Sequence, residues 1–198
     1  MLGLYASCCG AARARPTAFD CGRRKPGLPF VRNDSCGYLQ TDLTLAHVLA
    51  RGHGPTAASS LDAGSELELP APCTHILVTN GDNLYARTLF AHLCAPMRAG
   101  TDVIGWYFTS HYEYSRVYVQ QGRVERTGAE VLFKARLRKA WIDLGAVMIS
   151  ARILRQQRGD ARFTDCGAWR EADGRFVERL ISHNASHLVL DRILFFHQ

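Results

Sequence analysis

The sequence predicts an α/β domain, because short apolar runs typical of buried strands alternate with stretches of helical periodicity. Its 198 residues suit one domain with a sizeable buried core. With 47% hydrophobic and 21% charged residues, the composition excludes a disordered chain, a collagen-like repeat and a bundle of membrane helices. No stretch approaches the roughly 20 apolar residues that a membrane-spanning helix needs.

The first part of the chain differs in composition from the rest. Residues 1–35 are rich in Gly, Pro, Arg and Cys and lack sustained periodicity, so they are predicted to be largely irregular. From Thr41 to about residue 51, apolar residues recur at helical spacing, which predicts a helix. Residues 52–73 have the composition of a surface connection. The predicted organisation is therefore an N-terminal segment, 1–35, and a main domain, 36–198.

The main domain reads as strands and helices in alternation. The apolar run 75–79 predicts a buried strand, which is followed by a helix over about 84–97 and a second strand over 102–108. The remaining predicted elements are a hairpin of 117–119 with 123–125, an apolar run over 141–149, a short helix over 152–157, an amphipathic helix over 170–183, and closing strands over 187–190 and 193–196.

The charge of the chain indicates an anionic ligand. The net charge is +6, almost all of it from arginine, which favours ligands such as nucleotides and phosphates. The basic run over 13–25 lacks the interleaved aromatic residues of a single-strand binding platform, so nucleic acid is not a predicted partner. The seven cysteines include no CxxC pair and are predicted to be free thiols. No signal-peptide pattern is found, which leaves the compartment open between cytoplasm and Golgi.

A turn rich in amides and carboxylate follows the first buried strand of the main domain. It consists of Asn80, Gly81, Asp82 and Asn83. Open α/β folds bind ligands at the carboxyl ends of their strands. Asp82 offers carboxylate oxygens and the two asparagines offer amide oxygens, which suit Mg²⁺ or Mn²⁺ carrying a diphosphate. The same residues also suit a tight turn in which Asn and Asp bind only backbone groups.

This turn, with its flanking strand and helix, resembles the DxD-type motif of GT-A glycosyltransferases, with Asn80 in place of the first Asp. Three later segments resemble the rest of that family's layout, in the same order, and the resemblance covers about residues 36–198. They are 141–147, similar to the strand beneath the acceptor site, 171–176, similar to the acidic helix start of inverting members, and 196–197, similar to the C-terminal His of the metal site.

The resemblance is to family 2-like members of the nucleotide-diphospho-sugar transferase superfamily, and it implies both a fold and an activity. The implied fold is a three-layer α/β/α domain around a mixed, mostly parallel sheet. The implied activity is transfer of a sugar from a UDP- or GDP-sugar to an acceptor hydroxyl. The family opens with a strand and turn that bind the nucleobase. Either residues 2–5 form that strand here, or this chain lacks part of the donor pocket.

The resemblance also implies residue roles. Asp82 and His197 would hold Mn²⁺ or Mg²⁺, and a histidine ligand favours Mn²⁺. Residues 80–83 would bind the donor diphosphate, and Asp42 would reach the nucleoside. Asp173 would be the general base that takes the proton of the acceptor hydroxyl.

Each of these residues also has a purely structural interpretation. Asp173 would complement a helix dipole, Asp42 would cap a helix, and His197 would lie in solvent. Asp143 lies inside an apolar run and needs a partner, either an acceptor hydroxyl or, as the favoured alternative, an arginine in a structural salt bridge.

Two other functions fit the same sequence. One is a non-catalytic or degenerate GT-A-like binding or scaffold module, which Asn80 and the atypical first 35 residues favour. The other is a sugar-phosphate nucleotidyltransferase, which the absence of a Gly-rich nucleotide loop near the N-terminus disfavours.

Overall fold

The computed structural model is a mixed α/β fold organised around a nine-stranded sheet. The structure describes residues 2–7, 15–19, 41–42, 45–46, 49, 74–80, 83–110, 122, 124–127, 130–157, 163 and 172–197. The strands are β1 (Leu2–Ser7), β2 (Arg15–Phe19), β3 (His75–Asn80), β4 (Leu84–Tyr85), β5 (Val103–Ser110), β6 (Val124–Thr127), β7 (Glu130–Phe133), β8 (Val147–Ser150) and β9 (His187–His197). The helices are α1 (Leu89–Arg98), α2 (Ala151–Gln156) and α3 (Ala172–Ser182), and a 3₁₀ turn spans Leu144–Ala146.

The strand order confirms the predicted α/β class and mixed sheet, but not the prediction of mostly parallel pairing. The order is β2-β1-β3-β8-β5-β7-β6, and β9 pairs with both β5 and β4. Among the strand pairs within the described ranges, β5 with β9 is parallel and the others are antiparallel. The prediction was wrong because consecutive strands such as β6 and β7 pair directly, which requires opposite directions.

Two stretches of the N-terminal segment, β1 and β2, are strands of this sheet. The prediction of irregular structure is wrong for β1 and β2, and a strand beginning at Leu2 was the alternative. β1 pairs with β2 on one side and along its length with β3 on the other. Pro16 lies in β2, at the end of the strand order, where a missing backbone donor is tolerated. The predicted boundary at residues 35 and 36 lies outside the described residues.

The helix predicted over 84–97 begins later than expected. Leu84 and Tyr85 form a short strand with β9, and α1 begins at Leu89. The helix buries Leu89, Leu93 and Met97, which recur every four residues on one face. A hydrophobic run can serve a strand or a helix, and here pairing with β9 decides its first two residues.

The hairpin prediction is not tested in full, because the run 117–119 lies outside the described residues. Residues 124–127 form β6, which pairs with the later strand β7. The predicted strands over 75–79 and 102–108 and the helices over 152–157 and 170–183 are confirmed. The two closing strands are one strand, β9, whose register against β5 shifts near Trp106 and Tyr107.

The core lies between the central strands and the helices. Residues 41, 42, 45, 46 and 49 have helical backbone, and Leu45 and Leu49 are buried, as the helix prediction requires. α3 buries Phe176, Val177 and Leu180, and the ring of Phe176 stacks on Phe163. The largest fully buried side chain is Trp106 of β5.

A buried carboxylate joins the ends of three strands. Asp102 precedes β5 and is 1% exposed. One of its oxygens accepts a 2.6 Å hydrogen bond from Ser150 Oγ of β8, and the other accepts bonds from Ser186 Oγ at 2.9 Å and Arg152 Nη2 at 2.6 Å. Burial alone would raise the pKa of Asp102, but the hydrogen bonds from Ser150 and Ser186 and the Arg152 charge lower it below its usual value.

Candidate functional site

The strand register places β9 beside β4, the strand that begins two residues after Asp82. β4 and β9 are antiparallel, with Leu84 opposite Phe196 and Tyr85 opposite Phe195. Asn83 directly precedes Leu84 and His197 directly follows Phe196, so both residues lie at the same end of the β4–β9 pair. Two segments more than 100 residues apart in sequence therefore meet at one edge of the sheet.

Side chains at the base of the turn are hydrogen-bonded to one another. Tyr85 Oη donates to Thr79 Oγ1 at 2.6 Å, and Asn83 Nδ2 donates to the same oxygen at 3.4 Å. Asn83 Oδ1 is buried and accepts no hydrogen bond within the part of the chain that the structure describes. Because a buried carbonyl oxygen without a donor is costly, this atom is suited to a ligand.

His197 is held at the end of the long strand β9. It lies opposite Ser110, the last residue of β5, which is fully buried. Its ring stacks on that of Phe195 with a centroid distance of 5.8 Å. The side chain is half-buried. The imidazole is thus fixed at the same sheet edge as Asn83, and the interpretation of a histidine in open solvent does not fit its surroundings.

Phe195 connects this edge of the sheet to a second set of polar groups. Its ring packs directly against Gly145, where an added Cβ would lie 2.7 Å from the nearest ring carbon and 3.1 Å from Asp143 Oδ1. Glycine is therefore required at this position by the close approach of the aromatic ring. One aromatic side chain separates the His197 edge from the carboxylate of Asp143.

Two carboxylates bind successive backbone amides at the start of the 3₁₀ turn. Asp143 Oδ1 accepts from Gly145 N at 2.7 Å, and Asp173 Oδ2 accepts from Leu144 N at 3.2 Å. Asp173 lies in the first turn of α3, as predicted. The expected arginine partner of Asp143 is not found among the described residues, and a backbone amide takes that place.

The environment of Asp143 changes its acidity. Burial in the apolar run raises the pKa of Asp143 from 3.8 to about 6, against the opposing effect of the hydrogen bond from Gly145. Acidic groups with raised pKa values near a second carboxylate are typical of proton-transfer sites, and also of buried structural groups.

The other predicted site residues lie in different surroundings. Asn80 is the last residue of β3, while Gly81 and Asp82 are outside the described residues. Asp42 is half-buried, and its Oδ1 accepts a 2.9 Å hydrogen bond from Phe163 N, so it connects two distant parts of the backbone. The structure thus brings Asn83 and His197 together at one sheet edge, and Asp173 next to Asp143 at the 3₁₀ turn.

Three residues of the site did not stand out in the sequence. Thr79 and Tyr85 flank the turn symmetrically, and Phe195 precedes the terminal histidine by two positions. The only signal available for Phe195 was the period-2 spacing of Phe195 and His197 on one strand, which puts both on the same face.

Comparisons with known proteins do not identify a family for this chain. No protein-family model matches the chain, and no curated protein matches it significantly. Within the described residues, no helix combines the length and the apolar character needed to cross a membrane.

Proposed function

We propose that the chain is a metal-dependent glycosyltransferase with a GT-A-like, three-layer fold, which moves a sugar from a nucleoside-diphosphate sugar to an acceptor hydroxyl. The observation that supports the proposal is the antiparallel register of β4 and β9, in which Leu84 lies opposite Phe196, the residue before His197. A donor diphosphate bound at this edge would lie one aromatic side chain away from Asp143 and its neighbour Asp173.

The oxygen and nitrogen atoms at this edge suit a divalent cation that also binds the diphosphate of the sugar donor. The described residues contain no group of three or more His, Cys, Asp or Glu side chains that could hold a metal on their own. Mg²⁺ and its analogues at phosphate sites use one or two protein ligands and take the rest from water and phosphate. Asp82 and His197 would be the protein ligands, with the buried Asn83 Oδ1 beside them. Such a cation stabilises negative charge on the leaving diphosphate.

Asp173 would act as the general base in this proposal. Its carboxylate would take the proton from the acceptor hydroxyl while that oxygen bonds to the anomeric carbon and the bond to the donor diphosphate breaks, the electron pair leaving with the diphosphate. Attack opposite the leaving group inverts the anomeric configuration. The hydrogen bond from Leu144 N to Oδ2 fixes the orientation of the carboxylate.

A non-catalytic binding module is the second candidate. Asn80 in place of the first Asp of the motif favours it, since an uncharged amide oxygen binds a divalent cation more weakly than a carboxylate does. A binding module and an enzyme both predict donor binding, and they differ in sugar transfer and in the effect of replacing Asp173.

The proposal is tested first by calorimetry of the full chain with UDP and GDP, each with and without Mn²⁺. We expect one nucleotide to bind tightly only when Mn²⁺ is present, and Asp82→Asn and His197→Ala each to reduce that affinity by at least tenfold. His183→Ala, on the exposed turn after α3, is the matched control and should bind as the unmodified protein does. A nucleotide affinity that is the same with and without Mn²⁺, and in both variants, would refute the metal site.

The second test separates the enzyme from the binding module. Donor hydrolysis and transfer are measured with the nucleotide sugars that bind. Asp173→Asn should keep the donor affinity and lower transfer by about 10²- to 10⁴-fold, the usual contribution of a general base. Donor binding without measurable turnover in the unmodified protein would favour the binding module instead.

A further inference from the structure

A cavity of about 440 Å³ lies on the face of β5 and β9 beyond the candidate site. Four basic side chains line it: Lys134, Arg136, Arg138 and His187. The rest of its lining that the structure describes is aromatic or apolar, apart from glycine, and includes Tyr107 and Val189. No carboxylate lines the cavity within the described residues, so it is a positively charged concavity.

The local sequence explains why the basic groups share one side. After β7 the chain alternates: Phe133 and Ala135 are buried and Leu137 packs against the core, while Lys134, Arg136 and Arg138 occupy the positions between them. Over residues 133–136 this period of two puts Phe133 and Ala135 on one face and Lys134 and Arg136 on the other, and the chain then bends at 137–138. Such an alternation is also typical of an ordinary solvent-exposed face. The surroundings of Arg136 and Arg138 distinguish a ligand-binding face from a merely solvated one.

Both arginine side chains are held in place by one aromatic ring. The guanidinium carbons of Arg136 and Arg138 lie 4.5 Å and 4.4 Å from the centre of the Trp141 ring. The loop that carries them is closed by backbone hydrogen bonds from Arg136 N to Trp141 O and from Trp141 N to Arg138 O. Stacking on an aromatic ring orders a guanidinium while its N–H groups remain available to a ligand.

Within the described residues, no carboxylate neutralises the charges of the two arginines. Lys134 forms a salt bridge with Glu125, which raises the pKa of Lys134. Neither Arg136 nor Arg138 lies within ion-pair distance of a carboxylate in the part of the chain that the structure describes. Two ordered and uncompensated guanidinium groups beside a concavity are suited to an oxyanion, which they can bind through paired N–H donors.

The loop that carries the arginines also contacts the start of α3. A Cβ added at Gly174 would lie 2.6 Å from Lys139 Cα and 2.7 Å from Arg138 O, so the loop backbone and the helix touch. Gly174 directly follows Asp173, the residue to which we assign the role of base. The cationic cavity and the proposed base are therefore neighbours across one backbone contact.

We propose that this cavity binds an oxyanion, a phosphate or a carboxylate carried by the acceptor, and thereby holds the acceptor hydroxyl near Asp173. The ligand chemistry follows from the cavity alone, and its assignment to the acceptor rests on the proposed glycosyltransferase function. Arg136 and Arg138 are specificity-determining residues in this proposal, because they would favour anionic acceptors over neutral ones.

The test uses the full chain without nucleotide or metal. Binding of glucose 6-phosphate, glucuronate and glucose is followed by NMR through the indole N–H signal of Trp141, assigned with a Trp141→Phe variant. We expect the phosphate sugar, the carboxylate sugar or both to shift this signal at millimolar concentration, and glucose to leave it unchanged. The two anionic probes distinguish a phosphate site from a carboxylate site.

Substitutions then identify the groups that bind. Arg136→Gln and Arg138→Gln should each weaken binding of the anionic sugar by about tenfold, and Arg98→Gln, at the exposed end of α1, is the matched control with no expected effect. Arg138→Lys keeps the positive charge but loses the planar guanidinium that can bind an oxyanion through two N–H groups, so we expect a partial loss of affinity for the anionic sugar. No binding of either anionic sugar, or binding that survives both arginine substitutions, would overturn the inference.

The calorimetric measurement with UDP, GDP and Mn²⁺ separates this inference from the function on which it rests. Nucleotide binding without anion binding in the cavity would refute the cavity proposal alone. Anion binding that depends on the arginines, without nucleotide binding, would leave the oxyanion site in place and remove its assignment to an acceptor.

Discussion

Tyr85 donates a 2.6 Å hydrogen bond to Thr79 across the turn that contains Asp82. Thr79 lies in β3 and Tyr85 in β4, so the bond closes the turn at its base. The ring of Tyr85 also stacks on Phe195 of β9, with a centroid distance of 5.2 Å. One tyrosine therefore connects the strand before the turn to the strand that carries His197.

Removing this hydroxyl should loosen the turn and leave the fold intact. We expect Tyr85→Phe to lower Mn²⁺-dependent nucleotide affinity several-fold, because the ring packing stays while the hydrogen bond that positions the turn is lost. Stability should fall by about 1 kcal/mol, the usual net contribution of one hydrogen bond. Calorimetry measures the affinity and urea denaturation the stability. Tyr107→Phe, the same change away from the turn, should leave nucleotide affinity unaltered, and an equal loss there would contradict the assigned role of Tyr85.

Asp143 should make the protein less stable as the pH rises through the range 4 to 6. Its pKa is raised from 3.8 to about 6, so the folded state binds a proton more tightly than the unfolded state does. The free energy of unfolding then decreases as this proton is lost, by at most about 3 kcal/mol. Asp143→Asn should remove this decrease, since an amide oxygen can still accept from Gly145 N. Urea denaturation between pH 4 and 8 tests this, and an unchanged pH profile in the variant would exclude Asp143 as its source.

Asp102 should have the opposite effect, making the protein less stable as the pH falls. Its pKa is lowered in the folded state, so its stabilisation is present above about pH 4 and is lost as the pH falls through the lowered pKa. Arg152 is 59% exposed, so most of the effect comes from the bonds donated by Ser150 and Ser186 rather than from the salt bridge. Asp102→Asn should cost about 2–3 kcal/mol at pH 7 in urea denaturation. Asp191→Asn, an exposed aspartate of β9, should change stability by less than about 0.5 kcal/mol.

Gly174 is required by the contact between α3 and the arginine loop. A methyl group there would lie within 2.8 Å of the backbone at Arg138, Lys139 and Ala140, and backbone atoms cannot retract as a flexible side chain can. We expect Gly174→Ala to destabilise the protein by about 1–3 kcal/mol, despite the better helix propensity of alanine. Glu178→Ala, on the exposed face of the same helix, should be nearly neutral in the same thermal or urea unfolding experiment. Unchanged stability of Gly174→Ala would show that the helix and the loop can separate at low cost.

The sequence predicted those elements whose pattern is local. The helical spacing of Phe176, Val177 and Leu180 and the apolar runs of β3 and β5 identify their own secondary structure, because burial on one face requires that spacing. The N-terminal strands could not be predicted in this way. β1 and β2 contain glycine, alanine, proline and arginine. β1 pairs with β3, which lies some 70 residues later, and β2 pairs with β1, so their strand conformation depends on distant partners.

The candidate site likewise has features that local sequence predicts and features that depend on tertiary contacts. The helix-start position of Asp173 and the strand position of His197 follow from the sequence, because each depends on residues close to it in the chain. The centre of the predicted turn, Gly81 and Asp82, lies outside the described residues. The backbone partner of Asp143, the contact of Phe195 with Gly145 and the stacking of Arg136 and Arg138 on Trp141 did not follow. Each of these depends on which surfaces meet in space.

The amino-acid sequence by itself determined that this protein is an α/β domain with an amide-rich turn after a buried strand, since periodicity and turn chemistry are properties of neighbouring residues. Only the tertiary structure decided that β9 runs parallel to β5 and antiparallel to β4, which puts His197 opposite Ser110 and Phe196 opposite Leu84. The physical reason is that alternation along a strand specifies which face is buried, whereas the choice of neighbouring strand and its direction depends on the packing of the whole sheet.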